Sequence, residues 1–224
     1  MTGLVCFDLD GVIADSRDAI SHCFDLALAE LGLPPLGPGA IDRYVGPPLQ
    51  ETFTEVLHAA GQDLARVDQC IATYRRHYAV ESLRRTTSYP GVEAMLTEVA
   101  AMSRVVVVTS KPLVFAEPIL KALGVAGCFE AWFGPTTDRV HEAKTETLAG
   151  ALEAVPGYRP PVIMVGDRRH DVAAALANGA IPVGVLWGFG SRDELEAAGA
   201  VHLAATPEDL VPMIDAILKG HPTT

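Results

Sequence analysis

Near the start of the chain an apolar run ends in two aspartates one residue apart, Leu4-Val5-Cys6-Phe7-Asp8-Leu9-Asp10, and Gly11 follows at once. Side chains alternate along a strand, so Asp8 and Asp10 share a side while Leu9 faces away. Two carboxylates at that range repel each other; at neutral pH they need a cation, or one of them keeps a proton. Both solutions have catalytic uses. With a divalent metal, one carboxylate stays ionised as a nucleophile while the other trades protons with a leaving group. The same spacing also fits two solvated acids closing a strand at a turn.

Three further stretches end in polar residues. Val105 to Val108 run into Thr109-Ser110-Lys111-Pro112, which places two hydroxyls and an ammonium between an expected strand and an expected helix. Backbone N–H groups at a helix start, helped by a threonine hydroxyl, suit phosphoryl oxygens, although a plain helix cap explains the segment equally. Val162 to Val165 lead into Gly166-Asp167-Arg168-Arg169-His170-Asp171. Gly166 permits close backbone approach. Asp167 and Asp171, four apart at a helix start, can point toward one centre, and hard oxygen ligands of this kind select Mg²⁺. Asp171 taken singly is also a first-turn acid favoured by the helix dipole, and His170 is left outside the metal shell. Lys144, one of four lysines, falls in the first turn of an expected helix. A cation there opposes the dipole unless it reaches an acid or an anion; alone it reads as a solvated lysine. Together these ends offer a nucleophile, an acid, hydroxyls, an ammonium and metal carboxylates.

Positioning such groups requires strand ends gathered on one edge. From residue 90 onward β-branched runs alternate with helical patterns, which predicts a parallel sheet with helices on both faces. Strands are expected at 4–7, 104–108, 129–133, 161–165 and 181–186, with a short edge strand at 201–203. Helices are expected at 90–101, 112–123 (with Pro118 inside), 142–155, 170–178, 191–198 and 206–219, the last capped by Thr206 with Pro207 in first position. Between 15 and 85 the pattern is helical throughout. Ile20, Cys23, Phe24, Ala27, Leu28 and Leu31 mark one face of a helix capped by Asp15 or Ser16 and stopped at Gly32 and Pro34. Helices at 40–44, 49–60 and 64–82 follow, and 86–88 is a linker. The expected fold is therefore α/β: a doubly wound, Rossmann-like parallel core over 1–14 and 86–224, with an all-helical insertion at 15–85.

With 224 residues, 49% of them hydrophobic, the chain can bury a sizeable core. A net charge of −11 with scattered lysines and arginines argues against nucleic acid as a partner. Cys6, Cys23, Cys70 and Cys128 form no C-x-x-C pair and read as reduced core residues. Without a signal-like start or an apolar run of about 20 residues, a cytoplasmic protein with no membrane contact is expected.

Asp8-Leu9-Asp10-Gly11-Val12, Thr109-Ser110-Lys111, Lys144 and Gly166-Asp167-x-x-x-Asp171 stand in the order of the four motifs of the haloacid dehalogenase superfamily of hydrolases. Over nearly its whole length the chain resembles phosphoglycolate phosphatase-type members with a helical cap inserted after the first motif. Gly46-Pro47-Pro48-Leu49 and Val185-Leu186-Trp187-Gly188 add to the resemblance. It implies a Mg²⁺-dependent phosphatase acting on a small phosphorylated metabolite, as monomer or homodimer. Asp8 would form an aspartyl-phosphate and Asp10 would serve as acid and then base. Mg²⁺ would be held by Asp8, the Asp10 main-chain carbonyl and Asp167, with Asp171 behind, while Thr109, Ser110 and Lys144 hold the phosphoryl group. Related caps set a loop against the leaving group. In the matching region Arg43, Tyr44 and Gly46 precede two stiffening prolines, which makes Arg43 and Gly46 substrate-binding candidates; the plain alternative for Arg43 is an exposed arginine in a turn.

Other readings are weaker. Halide removal has no alkoxide to protonate, so Asp10 favours phosphate, and phosphonate cleavage would need a lysine that 15–85 lacks. A phosphosugar mutase shares the same core. A phospho-accepting signalling receiver uses similar groups in a different order, and a non-catalytic binding protein would not need every motif intact.

Overall fold

Leu4–Phe7 form β1, and all four side chains are fully buried. A strand apolar on both faces needs cover on both, which a parallel sheet between helix layers supplies. In the computed structural model, which describes residues 3–36, 44, 49–137 and 143–220, β1 lies inside a sheet with β4 (Arg104–Val108), β5 (Ala131–Phe133), β6 (Val162–Gly166), β7 (Ile181–Val185) and β8 (His202–Ala204). The order is β5-β4-β1-β6-β7-β8, and every pairing is parallel. The chain adds strands outward on one side of β1 and then outward on the other, so the order reverses beside β1, where open α/β sheets bind ligands. The expected doubly wound core is borne out.

The register carries that topology to the site. Phe7 pairs with Val107 on one side and Val165 on the other. The residues that follow these three strands therefore emerge together at the carboxyl edge. One face of the sheet, Leu4, Cys6, Val106, Val108 and Met164, is buried with Leu148 and Ala151 of α6 (Lys144–Ala154) and Ala174 and Ala175 of α7 (Arg169–Ala177). Elsewhere in this unit α4 (Val92–Met102) packs on α9 (Pro207–Leu218), and α5 (Leu113–Ala122) and α8 (Arg192–Ala198) complete the helices. The Thr206 hydroxyl caps α9 by accepting from the Asp209 N–H.

By backbone proximity the chain forms two units, residues 1–15 with 88–224, and residues 16–87. The second contains α1 (Arg17–Glu30), α2 (Leu49–Ala59) and α3 (Val67–Arg85). Its centre is aromatic: Phe24 lies 4.9 Å from Phe53 and 4.8 Å from Tyr74, ring centre to ring centre. Ion pairs tie α1 to α3, with Glu30 2.5 Å from Arg76 and Asp18 2.9 Å from Arg85. Such exposed pairs add little to stability, because water screens them. Buried rings dominate the packing.

Several boundaries differ from the sequence expectation for local reasons. Ser16 precedes α1, but its hydroxyl makes no capping bond. Asp63 accepts from the Ala65 N–H and opens a 3-10 turn at Leu64–Arg66 before α3 begins. Gly91, at φ +83°, delays α4 to Val92. The expected linker at 86–88 includes a short strand, β3 (Thr87–Ser88), and another two-residue strand, β2, lies at Ala14–Asp15. The helix expected at 40–44 lies, apart from Tyr44, outside the described residues. All four cysteines are free, and burial pushes the Cys6 thiol up to about 12. Among the described residues no helix is long and apolar enough to cross a membrane.

Phe24 is fully buried, so Phe24→Ala removes the ring about which the second unit packs. A loss of about 3–5 kcal/mol is expected. Urea unfolding followed by circular dichroism checks it; a loss below about 1 kcal/mol would mean the aromatic cluster contributes little.

Candidate active site

Three strands deliver their next residues to one edge. Asp8 follows β1, and its N–H donates to the Val165 carbonyl at 2.9 Å; Thr109 follows β4 and donates to Phe133 at 2.9 Å; Asp167 follows β6. Lys144 and Asp171 reach the same place from the first turns of α6 and α7. One carboxylate oxygen from each of Asp8, Asp167 and Asp171 lies within 4.8 Å of the others. Exposure of the three acids is only 8%, 1% and 2%, so water contributes little to separating their charges.

Each acid has one oxygen fixed by a main-chain amide. The Leu9 N–H donates to Asp8 Oδ1 at 2.7 Å, the Phe189 N–H to Asp167 Oδ2 at 2.7 Å, and the Arg168 N–H to Asp171 Oδ2 at 2.9 Å. Lys144 Nζ lies 2.7 Å from Asp8 Oδ2 and also contacts Asp171 Oδ1. Asp167 Oδ1 is buried without a hydrogen-bond partner. An unpaired buried acceptor costs about 1–3 kcal/mol, and more when charged, so this atom calls for a cation. The donors are all hard oxygens, a set that fits Mg²⁺.

Charge and burial shift the protonation equilibria here. Burial pushes the Asp8 carboxyl up to about 6; Lys144 opposes this, and Asp171 and Asp10 add to it. Burial, with Asp171 and Asp8, also holds Asp167 well above the carboxylate range, against the Phe189 amide and Lys144. For Lys144, burial disfavours the ammonium, but Asp171 and Asp8 outweigh it and raise its pKa. Three acids thus share one ammonium.

The Asp10 carboxylate stands apart from the triple. Its Oδ1 accepts from Lys111 Nζ at 2.6 Å, so the ammonium of the Thr109-Ser110-Lys111 segment serves an acid. Thr109 is buried at the strand end, and its hydroxyl accepts from the Lys111 N–H at 3.1 Å; Ser110 is exposed. Arg43 and Gly46 lie outside the described residues. Tyr44, between them, is buried near Phe24 and donates to Glu55 at 3.3 Å.

Sequence reasoning gave no role to the segment after β7. Phe189 supplies an amide to Asp167, and a Cβ at Gly188 or Gly190 would run into Asp167. The available signal was glycine on both sides of Phe189 directly after a strand. Gly11 has a matching role in the first motif: its φ is +81°, and a Cβ there would overlap the Asp167 carboxylate.

The model of the family described as haloacid dehalogenase-like hydrolase matches residues 5–185. A 5'-nucleotidase of Pseudomonas aeruginosa is 32% identical over 90% of this chain and 90% of its own. Tyrosine-protein kinase PtkA of Mycobacterium tuberculosis is 34% identical over 92% of this chain and 70% of its own. A phosphoglycolate phosphatase of Yersinia pseudotuberculosis is 29% identical over 94% and 92%. Among solved structures, a predicted phosphatase from Clostridium acetobutylicum superposes with a TM-score of 0.85 at 31% identity, covering 96% of this chain and 98% of that one.

Burial of Asp8 sets the sign of a pH effect. With its carboxyl moved from 3.8 to about 6 on folding, the folded chain binds more protons than the unfolded chain between those values. Stability from this group is therefore present at lower pH and is lost as pH rises through about 6. In chelator, wild type should lose stability relative to Asp8→Asn over that interval, read from urea midpoints. A difference that does not change with pH would mean Asp8 ionises as an ordinary carboxylate.

Proposed function

The chain belongs to the haloacid dehalogenase-like hydrolases and is a phosphatase of that family; from this premise we propose that it hydrolyses a small phosphate monoester, with Mg²⁺, through an aspartyl-phosphate on Asp8. The observation that carries the reading is the buried triple Asp8, Asp167 and Asp171 with Asp167 Oδ1 unpartnered. Asp8, Asp167 and the Asp10 main-chain carbonyl would hold the ion, with Asp171 behind them. When bound, Mg²⁺ supplies the positive charge that offsets the acids and the phosphoryl oxygens.

The protein's own groups support each step. Leu9 N–H and Lys144 fix the two oxygens of Asp8, so the nucleophile is oriented before the ester arrives. Asp8 attacks phosphorus in line, forming one P–O bond as the bond to the leaving oxygen breaks. Asp10, in its acid form, gives its proton to that oxygen, and Lys111, 2.6 Å from Asp10 Oδ1, stabilises the carboxylate this leaves. It then takes a proton from water attacking the phosphorus, which releases phosphate and restores Asp8. Thr109 and Lys144 offer hydroxyl and ammonium to the phosphoryl oxygens as charge moves.

The helical insertion, with Arg43 and Gly46, is proposed as the part that chooses among esters. The names of the relatives define the first candidates: nucleoside 5'-monophosphates and phosphoglycolate, set beside sugar phosphates.

Hydrolysis of p-nitrophenyl phosphate by the whole chain should require Mg²⁺ and fall to background in Asp8→Asn. Asp10→Asn should lose about 10²-fold or more on alkyl esters. Its loss in single-turnover phosphorylation should be smaller for p-nitrophenyl phosphate, whose leaving group needs no proton. Activity that survives thorough chelation, or normal turnover by Asp8→Asn, would overturn the reading.

A further inference from the structure

The five residues after β7, Leu186-Trp187-Gly188-Phe189-Gly190, perform no step in the chemistry above, yet they press on Asp167 from two directions. Phe189 donates its N–H to Asp167 Oδ2. The Trp187 indole Nε1–H donates to the Val12 carbonyl at 3.0 Å. Val12 belongs to the tight turn after Asp10, in which the Ile13 and Ala14 N–H groups both donate to the Leu9 carbonyl at 2.9 Å. The contact surfaces are glycine: a Cβ at Gly188 would meet both Asp167 and the Gly11 carbonyl, and one at Gly190 would meet the Asp167 carbonyl. The turn that carries Asp10 and the loop that carries Phe189 are thus joined by an indole hydrogen bond, with Asp167 between them.

We propose that Trp187 is a positioning residue for the metal. Its bond to Val12 seats the loop so that the Phe189 amide occupies Asp167 Oδ2 and Oδ1 is left for the ion. The inference rests on the reading of Asp8, Asp167 and Asp171 as a Mg²⁺ site. Indole nitrogen only donates, so Trp187→Phe deletes this one bond and keeps an apolar ring. With the seat loosened, the Phe189 N–H no longer fixes the carboxylate plane, and the ion must order Asp167 as it binds. Outer contacts that orient a metal ligand typically change affinity about 10- to 100-fold.

Calorimetric titration of the whole chain with Mg²⁺ tests this. Trp187→Phe should weaken binding about 10-fold or more while retaining kcat at saturating Mg²⁺. A merely structural tryptophan would instead lower the urea midpoint and leave the Mg²⁺ affinity of the folded protein unchanged, which would overturn the proposal. Asp167→Asn separates the premise from the inference. If wild type binds no Mg²⁺, or Asp167→Asn binds it as tightly, the metal-site reading has failed; if Asp167→Asn is weak and Trp187→Phe is normal, only the role of Trp187 has. Should Trp187→Phe not fold, hydrogen exchange on wild type decides. Mg²⁺ should slow exchange in 186–190 and in 9–15 together; slowing that omits 186–190 overturns the coupling.

Discussion

Three carboxylates buried around one ammonium are the constraint on which the rest of this structure depends. Like charges about 4 Å apart repel by about 4 kcal/mol at an effective dielectric near 20, and Lys144, paired with Asp8 and Asp171, opposes that repulsion from within the cluster. Burial pushes the Asp8 carboxyl up to about 6; Lys144 draws it back, and the charges of Asp171 and Asp10 add to the rise. A divalent cation would relieve the same repulsion without a proton and leave Asp8 ionised, the form the proposed nucleophile needs.

Holding such a cluster together falls to the backbone. Amides of Leu9, Arg168 and Phe189 each take one carboxylate oxygen, so the acids are oriented by groups that cannot titrate. Parallel pairing of β1 with β4 and β6 brings Asp8, Thr109 and Asp167 out at the same edge of the sheet, and helix starts bring Lys144 and Asp171 to it. Glycine at 11, 188 and 190 supplies the room, since a side chain at any of them would collide with Asp167. A site assembled on strand ends and amides is held in place, as the proposed in-line attack requires.

Much of the core was legible because its signals are local. Valine runs between helical patterns announce a parallel sheet, and strands buried on both faces have little choice of architecture. Acids and hydroxyls at the ends of such runs are visible for the same reason, and the structure brings Asp8, Asp167, Asp171 and Lys144 together. The pairing of Lys111 with Asp10 was not legible, because the two stand far apart in the chain and only the β1 to β4 register joins them. The Phe189 contribution was hidden differently: a backbone N–H has no residue signature. Likewise Ser16 looks like a cap in sequence, yet its hydroxyl is buried and makes no such bond, since tertiary packing decides where that side chain goes.

Rapid acid quenching during turnover of a radiolabelled phosphate ester with Mg²⁺, followed by peptide mapping, tests the central claim most directly. The label should be found on the peptide containing Asp8, should be released by hydroxylamine as an acyl phosphate is, and should be missing from Asp8→Asn. Label on a different residue, or label that persists in Asp8→Asn, would contradict the account.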